Sequence, residues 1–242
     1  MRRHKVIGVL GGMGPAATVE FFRRVVVATP ATIDQAHHHI LIDDNPRVPD
    51  RTRALLHGGE SPVPAMVAMA QRLETAGAEL LTMPCNTAHA FIGDLRSAVG
   101  IPFLDMIEET VRRLDVECVG LLSTTATIKV GIYSRACRQQ GKDLLAPKGA
   151  DQETVVRAIE AIKASRDLTE VTAAIRRVVD RLLAKGARTI IAGCTEISLL
   201  DGTAMPLPWV DALDCLVDAT LREATVPEPA RDEIPKLTER PN

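Results

Sequence analysis

Residues 80–91 read LLTMPCNTAHAF, and residues 190–200 read IIAGCTEISLL. In each, a short apolar run ends in a cysteine, Cys85 or Cys194, and small polar side chains follow. Apolar runs of this length bounded by turn residues fit buried strands, and the stretches after the cysteines fit helix starts. The two segments lie 109 residues apart. Two further landmarks keep the same order at nearly the same spacing. VIGVLGGMGPAAT (6–18) aligns with CVGLLSTTATIK (118–129), pairing Gly8 with Gly120, and IPFLDMIEE (101–109) aligns with LPWVDALDC (207–215), pairing Asp105 with Asp211. Their offsets are 112 and 106 residues. One such match arises easily by chance; three in order point to an internal duplication.

Outward from these landmarks the chain alternates strand and helix patterns. Strands are expected at 5–11, 38–43, 79–84, 117–123, 188–193 and 207–211, with a strand or strand end at 101–106 and helices at 15–29, 61–78, 86–100, 128–141, 152–164, 167–187 and 195–202. This alternation predicts an α/β fold of two similar lobes, each a mainly parallel sheet flanked by helices, related by internal pseudo-symmetry around a cleft. The first lobe is set at 1–106 plus 207–225 and the second at 107–206. From Arg222 onward four prolines and nine charged residues crowd 21 positions, so residues 226–242 are assigned to a surface tail.

Composition excludes several classes. A net charge of −2 implies no basic field for nucleic acid, and six aromatic residues offer little platform for base stacking. No apolar run reaches the length of a membrane span. The opening MRRHKVIGVLGGMGP breaks into glycines after a few apolar residues and reads as a first strand and turn rather than a signal peptide. Five widely spaced cysteines without a C-x-x-C suit reduced thiols in a cytoplasm better than disulfides or structural zinc.

In parallel α/β sheets, ligands bind beyond the carboxyl ends of the strands, where Cys85 and Cys194 fall. Each also precedes an expected helix, whose free N–H groups and dipole are expected to lower a thiol pKa. Facing lobes would aim the two thiols at one ligand from opposite sides. Inverting a carbon that bears hydrogen needs a base on one face and an acid on the other, and thiolate and thiol can exchange those roles. Cys118, Cys137 and Cys215 read as inert packing residues. GMGPAA (12–17) with Asp43 matches a loose dinucleotide pattern and keeps a nucleotide-dependent oxidoreductase as an alternative. His37, His38 and His39 alternate faces on a strand and cannot converge on one metal, so no metal site is assigned. His89 could approach the Cys85 thiol but better suits a packing role. Asp105 and Asp211 read as acceptors that tie down loops, and Glu108 and Glu109 as a solvated helix face.

The stretches GVLGGMGPAAT, NPRVPDRT, MPCNTAHAF, MIEET, LLSTTATIK and AGCTEIS resemble the aspartate/glutamate racemase superfamily, in particular its aspartate racemase branch. The likeness runs from about Lys5 to Asp218. It implies a cofactor-independent amino-acid racemase, most similar to those for aspartate, with glutamate or broad specificity as alternatives. It also implies a homodimer acting on a small amino acid, with Cys85 and Cys194 as the acid/base pair. Carried over by position, Met13 lines the site, while Asn86 and Thr87 hold the α-carboxylate or α-amine. Thr127 and Thr195 do the same in the second lobe, and Arg51 and Lys163 meet the side-chain carboxylate. Where glutamate racemases carry histidine two residues after the second cysteine, this chain has Glu196. Asp43 and Asp44 depart from the family pattern near the expected anion site.

Overall fold

The structure is a computed structural model and describes residues 4–164, 168–200 and 202–225. The chain opens with β1 (Ile7–Gly11), α1 (Pro15–Ala28), β2 (Ile40–Asp44), α2 (Arg51–His57), α3 (Val63–Thr75) and β3 (Leu80–Thr82). The three strands form one parallel sheet in the order β2-β1-β3, with Ile7 in register with both Ile40 and Leu80. After β3 come a 3-10 turn (Thr87–Phe91), α4 (Ile92–Ala98) and α5 (Met106–Arg112). The second sheet then begins with β4 (Cys118–Leu122), followed by α6 (Thr125–Val130), α7 (Ile132–Gln139), β5 (Asp143–Leu145), α8 (Ala150–Lys163), α9 (Leu168–Ala184) and β6 (Thr189–Ala192). Two 3-10 turns (Ile197–Leu199 and Gly202–Ala204), β7 (Trp209–Asp211) and α10 (Ala212–Ala224) complete it. The second sheet is also parallel, in the order β5-β4-β6-β7.

The central strands are buried along their whole length because helices cover both faces. Successive side chains alternate between two cores. Ile7 and Val9 of β1 meet Phe21 and Val25 of α1 and Leu213, Leu216 and Val217 of α10, whereas Leu10 meets Met66, Met69 and Leu73 of α3. In the second lobe Val119, Leu121 and Ile191 pack with Ile107 and Val111 of α5 and Tyr133 of α7. Leu122 and Ile190 pack with Val155 and Ile159 of α8 and Val178 and Leu182 of α9. The duplication is visible in the packing. A Cβ on Gly8 would stand 2.6 Å from Leu81 Cδ2 and 2.8 Å from Ala78 Cβ, and one on Gly120 would stand 2.5 Å from Ile190 Cδ1. Each glycine lets its sheet receive neighbouring side chains at the same point. Asp105 and Asp211 are likewise equivalent: each N-caps the next helix, accepting from Ile107 N and Glu108 N in one case and Leu213 N in the other.

Several local expectations are corrected. The helix expected at 86–100 is a 3-10 turn followed by α4, and that at 195–202 is reduced to 3-10 turns. The helix expected at 128–141 breaks at Gly131, whose φ of 73° separates α6 from α7. The strand or strand end expected at 101–106 is a single parallel bridge between Leu81 and Phe103. The edge strand β5 and helix α2 have no counterpart among the expected elements, and α5 is the helix expected to carry Glu108 and Glu109. Residues 207–225 divide: β7 joins the second sheet through β6, and α10 packs on the first. Arg222 is part of α10, where it pairs with Glu109 at 3.0 Å, and Ala224 is buried. The assigned tail at 226–242 lies outside the described residues. Among the described residues no helix is long and apolar enough to cross a membrane.

Candidate active site

Cys85 and Cys194 line one small cavity between the lobes, of about 40 Å³. Met13, Asp50, Arg51, Thr52, Asn86, Thr87, Thr124, Lys163, Thr195 and Glu196 complete its wall. Cys85 and Cys194 are 5% and 6% exposed, whereas Lys163 on the same wall has a half-exposed side chain, so the void meets solvent on that side. Each lobe delivers its cysteine just past a strand end, β3 or β6. The glycine turn after β1 delivers Met13, and Asp50, which N-caps α2 by accepting from Arg53 N, fixes the start of the helix that carries Arg51. A wider hollow of about 380 Å³ shares Arg51, Lys163, Thr195 and Glu196 with this cavity and leads outward past Pro15, Ile162 and Leu199.

The polar groups divide by role. Asn86 Oδ1 accepts from the Tyr133 hydroxyl at 2.6 Å, while its Nδ2, equally buried, has no partner. An unsatisfied buried donor in a cavity wall is suited to a carboxylate. Thr87 Oγ1 lies 3.0 Å from Thr124 Oγ1 and 2.9 Å from Thr127 Oγ1, a triangle of hydroxyls that joins the lobes. Thr127 thus stands behind Thr87, and Thr124 takes the place in the wall expected for it. Arg51 donates through Nη1 to the Val48 and Pro49 carbonyls and through Nη2 to that of Met13. Lys163 Nζ lies 3.7 Å from Glu196 Oε1, and Cys194 Sγ donates to Glu196 Oε2 at 2.9 Å.

The expected lowering of both thiol pKa values is overturned. Burial pushes the Cys85 thiol up, against the pull of the Arg51 guanidinium and the Ala88 N–H. Cys194 is pushed well above the ordinary range, first by burial and then by the Glu196 carboxylate. The short 3-10 turns that follow the cysteines carry too little dipole to offset desolvation. A thiolate formed here is scarce but strongly basic.

The remaining expectations resolve locally. His89 donates from Nδ1 to the Cys85 carbonyl, and its Nε2 accepts from Met106 N, so it packs and ties the cysteine segment to α5. Burial lowers its pKa, in keeping with the neutral ring this bonding needs. Asp43 is paired with Arg72 at 2.7 Å, and neither it nor Asp44 lines the cavity. Glu109 is buried between Arg112 and Arg222 rather than solvated. Cys137 and Cys215 are packed, their thiols pushed up to about 11 and about 12 by burial. His38 stacks edge-on against His4 at 4.4 Å, away from the cavity. Among the described residues no group of three or more His, Cys, Asp or Glu could hold a metal ion. Glu196, Thr124, Asp50 and Tyr133 were not foreseen as site residues. Only the position of Glu196, two residues after Cys194, offered a local signal.

Two duplicated lobes with a cysteine from each in one cavity agree with a family model, that of the Asp/Glu/hydantoin racemases, which matches residues 10–220. The chain belongs to this family. Its fold superposes on the Picrophilus torridus aspartate racemase with a TM-score of 0.78 at 30% identity, covering 91% of this chain and 94% of the other. A Pyrococcus horikoshii aspartate racemase homologue shares the fold at a TM-score of 0.76 and 21% identity, over 93% and 99% of the two chains. In sequence, a broad-specificity amino-acid racemase of Bacillus subtilis, RacX, is 28% identical over 223 residues, 89% of this chain and 96% of its own. As a member of a racemase family the chain is an isomerase, and the oxidoreductase alternative falls. The glycine turn that suggested it contributes Met13 to the cysteine cavity instead.

Proposed function

We propose that this racemase inverts the α-carbon of an amino acid by two-base proton transfer between Cys85 and Cys194, with no cofactor and with aspartate as substrate. The observation that carries the reading is that two thiols from opposite lobes share one small cavity. The thiolate on one face takes the α-hydrogen as a proton, and the thiol on the other face returns one. The raised pKa of each thiol makes its thiolate a stronger base, better matched to a very weak carbon acid. The Asn86 Nδ2 donor and the hydroxyls of Thr87, Thr124 and Thr195 can hold the α-carboxylate as it takes on enediolate character. Arg51 and Lys163 supply cations for a side-chain carboxylate. A void of about 40 Å³ holds no more than a few waters, so the substrate enters as the cleft opens toward the adjoining hollow.

A second reading is broad specificity. Asp50 and Glu196 stand in the wall beside Arg51 and Lys163, so the site is not purely cationic, and RacX is a broad-specificity relative. Deuterium incorporation at Cα across a panel of D- and L-amino acids tests reaction and substrate together. Aspartate is expected to exchange and invert fastest; comparable rates across neutral and basic amino acids would favour the second reading. Cys85→Ser and Cys194→Ser are each expected to abolish interconversion of enantiomers, read by chiral chromatography. Wild-type-like racemisation by either variant would refute the two-base assignment.

A further inference from the structure

The two thiols do not sit in equivalent surroundings, although the lobes are duplicates. Cys85 is influenced more by the Arg51 cation than by the Glu196 and Lys163 charges. Cys194 donates its hydrogen to a carboxylate, Glu196, at 2.9 Å. Glu196 is itself 8% exposed, and its other oxygen lies 3.7 Å from Lys163 Nζ. The charged groups around the pair are therefore Arg51 and Asp50 at the start of α2, Lys163 at the end of α8, and Glu196.

Resting on the two-cysteine reading, we propose that Glu196 is a positioning residue that holds the resting proton on Cys194, so that when one of the two thiols ionises in the free enzyme the acid stays there and the base forms on Cys85. A thiol can donate to the Glu196 carboxylate; a thiolate in the same place would repel it, and between two side chains this buried that repulsion is weakly screened. The electrostatics point the same way: after burial, the Glu196 carboxylate is the chief cause that raises the Cys194 thiol, whereas the Arg51 cation draws the Cys85 thiol down. The substrate enantiomer whose α-hydrogen faces Cys85 then reacts with this singly ionised form directly. Cys85 takes the α-proton, Cys194 gives its own to the opposite face, and the enzyme is left with a thiol at Cys85 and a thiolate beside Glu196. That form resets through water, which protonates Cys194 while Cys85 releases its proton. Glu196 favours this reset because it destabilises the Cys194 thiolate. Lys163 moderates the effect through its pairing with the carboxylate, which couples the cation expected at the substrate's side chain to the acid at its α-carbon.

The test reads the thiols directly in the full-length protein. Iodoacetamide alkylation, followed peptide by peptide by mass spectrometry across the alkaline range, gives a pH curve for each cysteine; restricted access scales the rates but not the curve's midpoint. In the wild type Cys85 is expected to titrate below Cys194. Glu196→Gln keeps the shape and removes the charge, and should move the Cys194 curve to lower pH by about one unit or more, with a much smaller move for Cys85. Lys163→Met, at a half-exposed side chain, should move Cys194 the opposite way, because Glu196 is then uncompensated. In α-deuterium exchange, Glu196→Gln should bring the alkaline limb of the pH profile to lower pH and leave the acid limb in place. A Cys194 curve that Glu196→Gln leaves unmoved, or that moves in step with Cys85, overturns the assignment, as does a Lys163→Met shift in the same direction as Glu196→Gln. Alkylation requires no substrate, so its result stands apart from whether the chain racemises any amino acid tested.

Discussion

Arg51 acts on the cavity in two ways. Its three bonds to the Val48, Pro49 and Met13 carbonyls fix the guanidinium in the wall, and its charge draws the Cys85 thiol down against burial. Arg51→Ala should therefore raise the KM for aspartate about tenfold more than that for alanine, since only aspartate loses a charged partner. It should also move the acid limb of the pH profile upward, because the Cys85 pKa is no longer held down by that cation. Steady-state kinetics on both substrates across pH check this; an equal KM rise for the two would remove Arg51 from side-chain recognition. At this scale the sequence was most legible where the duplication repeated it. Cys85 and Cys194 stand out because each marks the same place in its lobe. Tyr133 could not be found in this way, since it reaches Asn86 from 47 residues away and carries no local pattern. Glu196 was visible as a departure from glutamate racemases, but its bond to Cys194 depends on a turn geometry that a helical reading of 195–202 would not supply.

Elements were legible in proportion to their burial. The central strands and long helices follow their apolar patterns, whereas β5, with Asp143 exposed at the sheet edge, lacks the apolar run that marks a strand. The segments after the cysteines were read as helices because their composition allows it. The 3-10 turns found there instead are not encoded in any periodicity. The turn after β1 is the element on which the first lobe's half of the site most depends. Gly12 has a φ of 85°, and a Cβ there would stand 2.3 Å from the Asn45 carbonyl carbon, while its N–H donates to Thr18 Oγ1 at 2.9 Å. A backbone obstacle cannot swing aside as a side chain can. Gly12→Ala is expected to destabilise the fold by about 2–3 kcal/mol and to displace Met13 from the cavity. Urea denaturation reads the first effect, and a loss below about 0.5 kcal/mol would mean that the turn relaxes freely.

For the whole molecule, three repeated landmarks were enough to place two parallel sheets about one cleft, but not to show how the duplicates are fastened together. The crossing of the C-terminal segment does this. β7 completes the second sheet, α10 turns back onto the first, and their junction, Asp211, receives Arg24 from α1. Arg24 Nη1 lies 2.6 Å from Asp211 and 2.8 Å from Asp214, its Nη2 donates to the Ser198 carbonyl, and its Nε to Glu20. The guanidinium thus ties the first lobe to the turn that follows Cys194. Arg24 and Asp211 side chains are 15% and 9% exposed, and burial pushes the Asp211 carboxyl up while Arg24 and Ser198 pull it back. Removing the cation leaves a buried carboxylate without its main partner, a loss that ordinarily exceeds the net worth of the pair. Arg24→Met is accordingly expected to destabilise by about 3 kcal/mol, and Asp211→Asn in the same chain to restore part of that by removing the uncompensated charge. A complete double-mutant cycle in urea supplies the coupling. If the second substitution adds to the first instead of offsetting it, Asp211 serves the fold chiefly as the cap of α10, and the lobes are held by their other contacts, the Thr87, Thr124 and Thr127 hydroxyls among them.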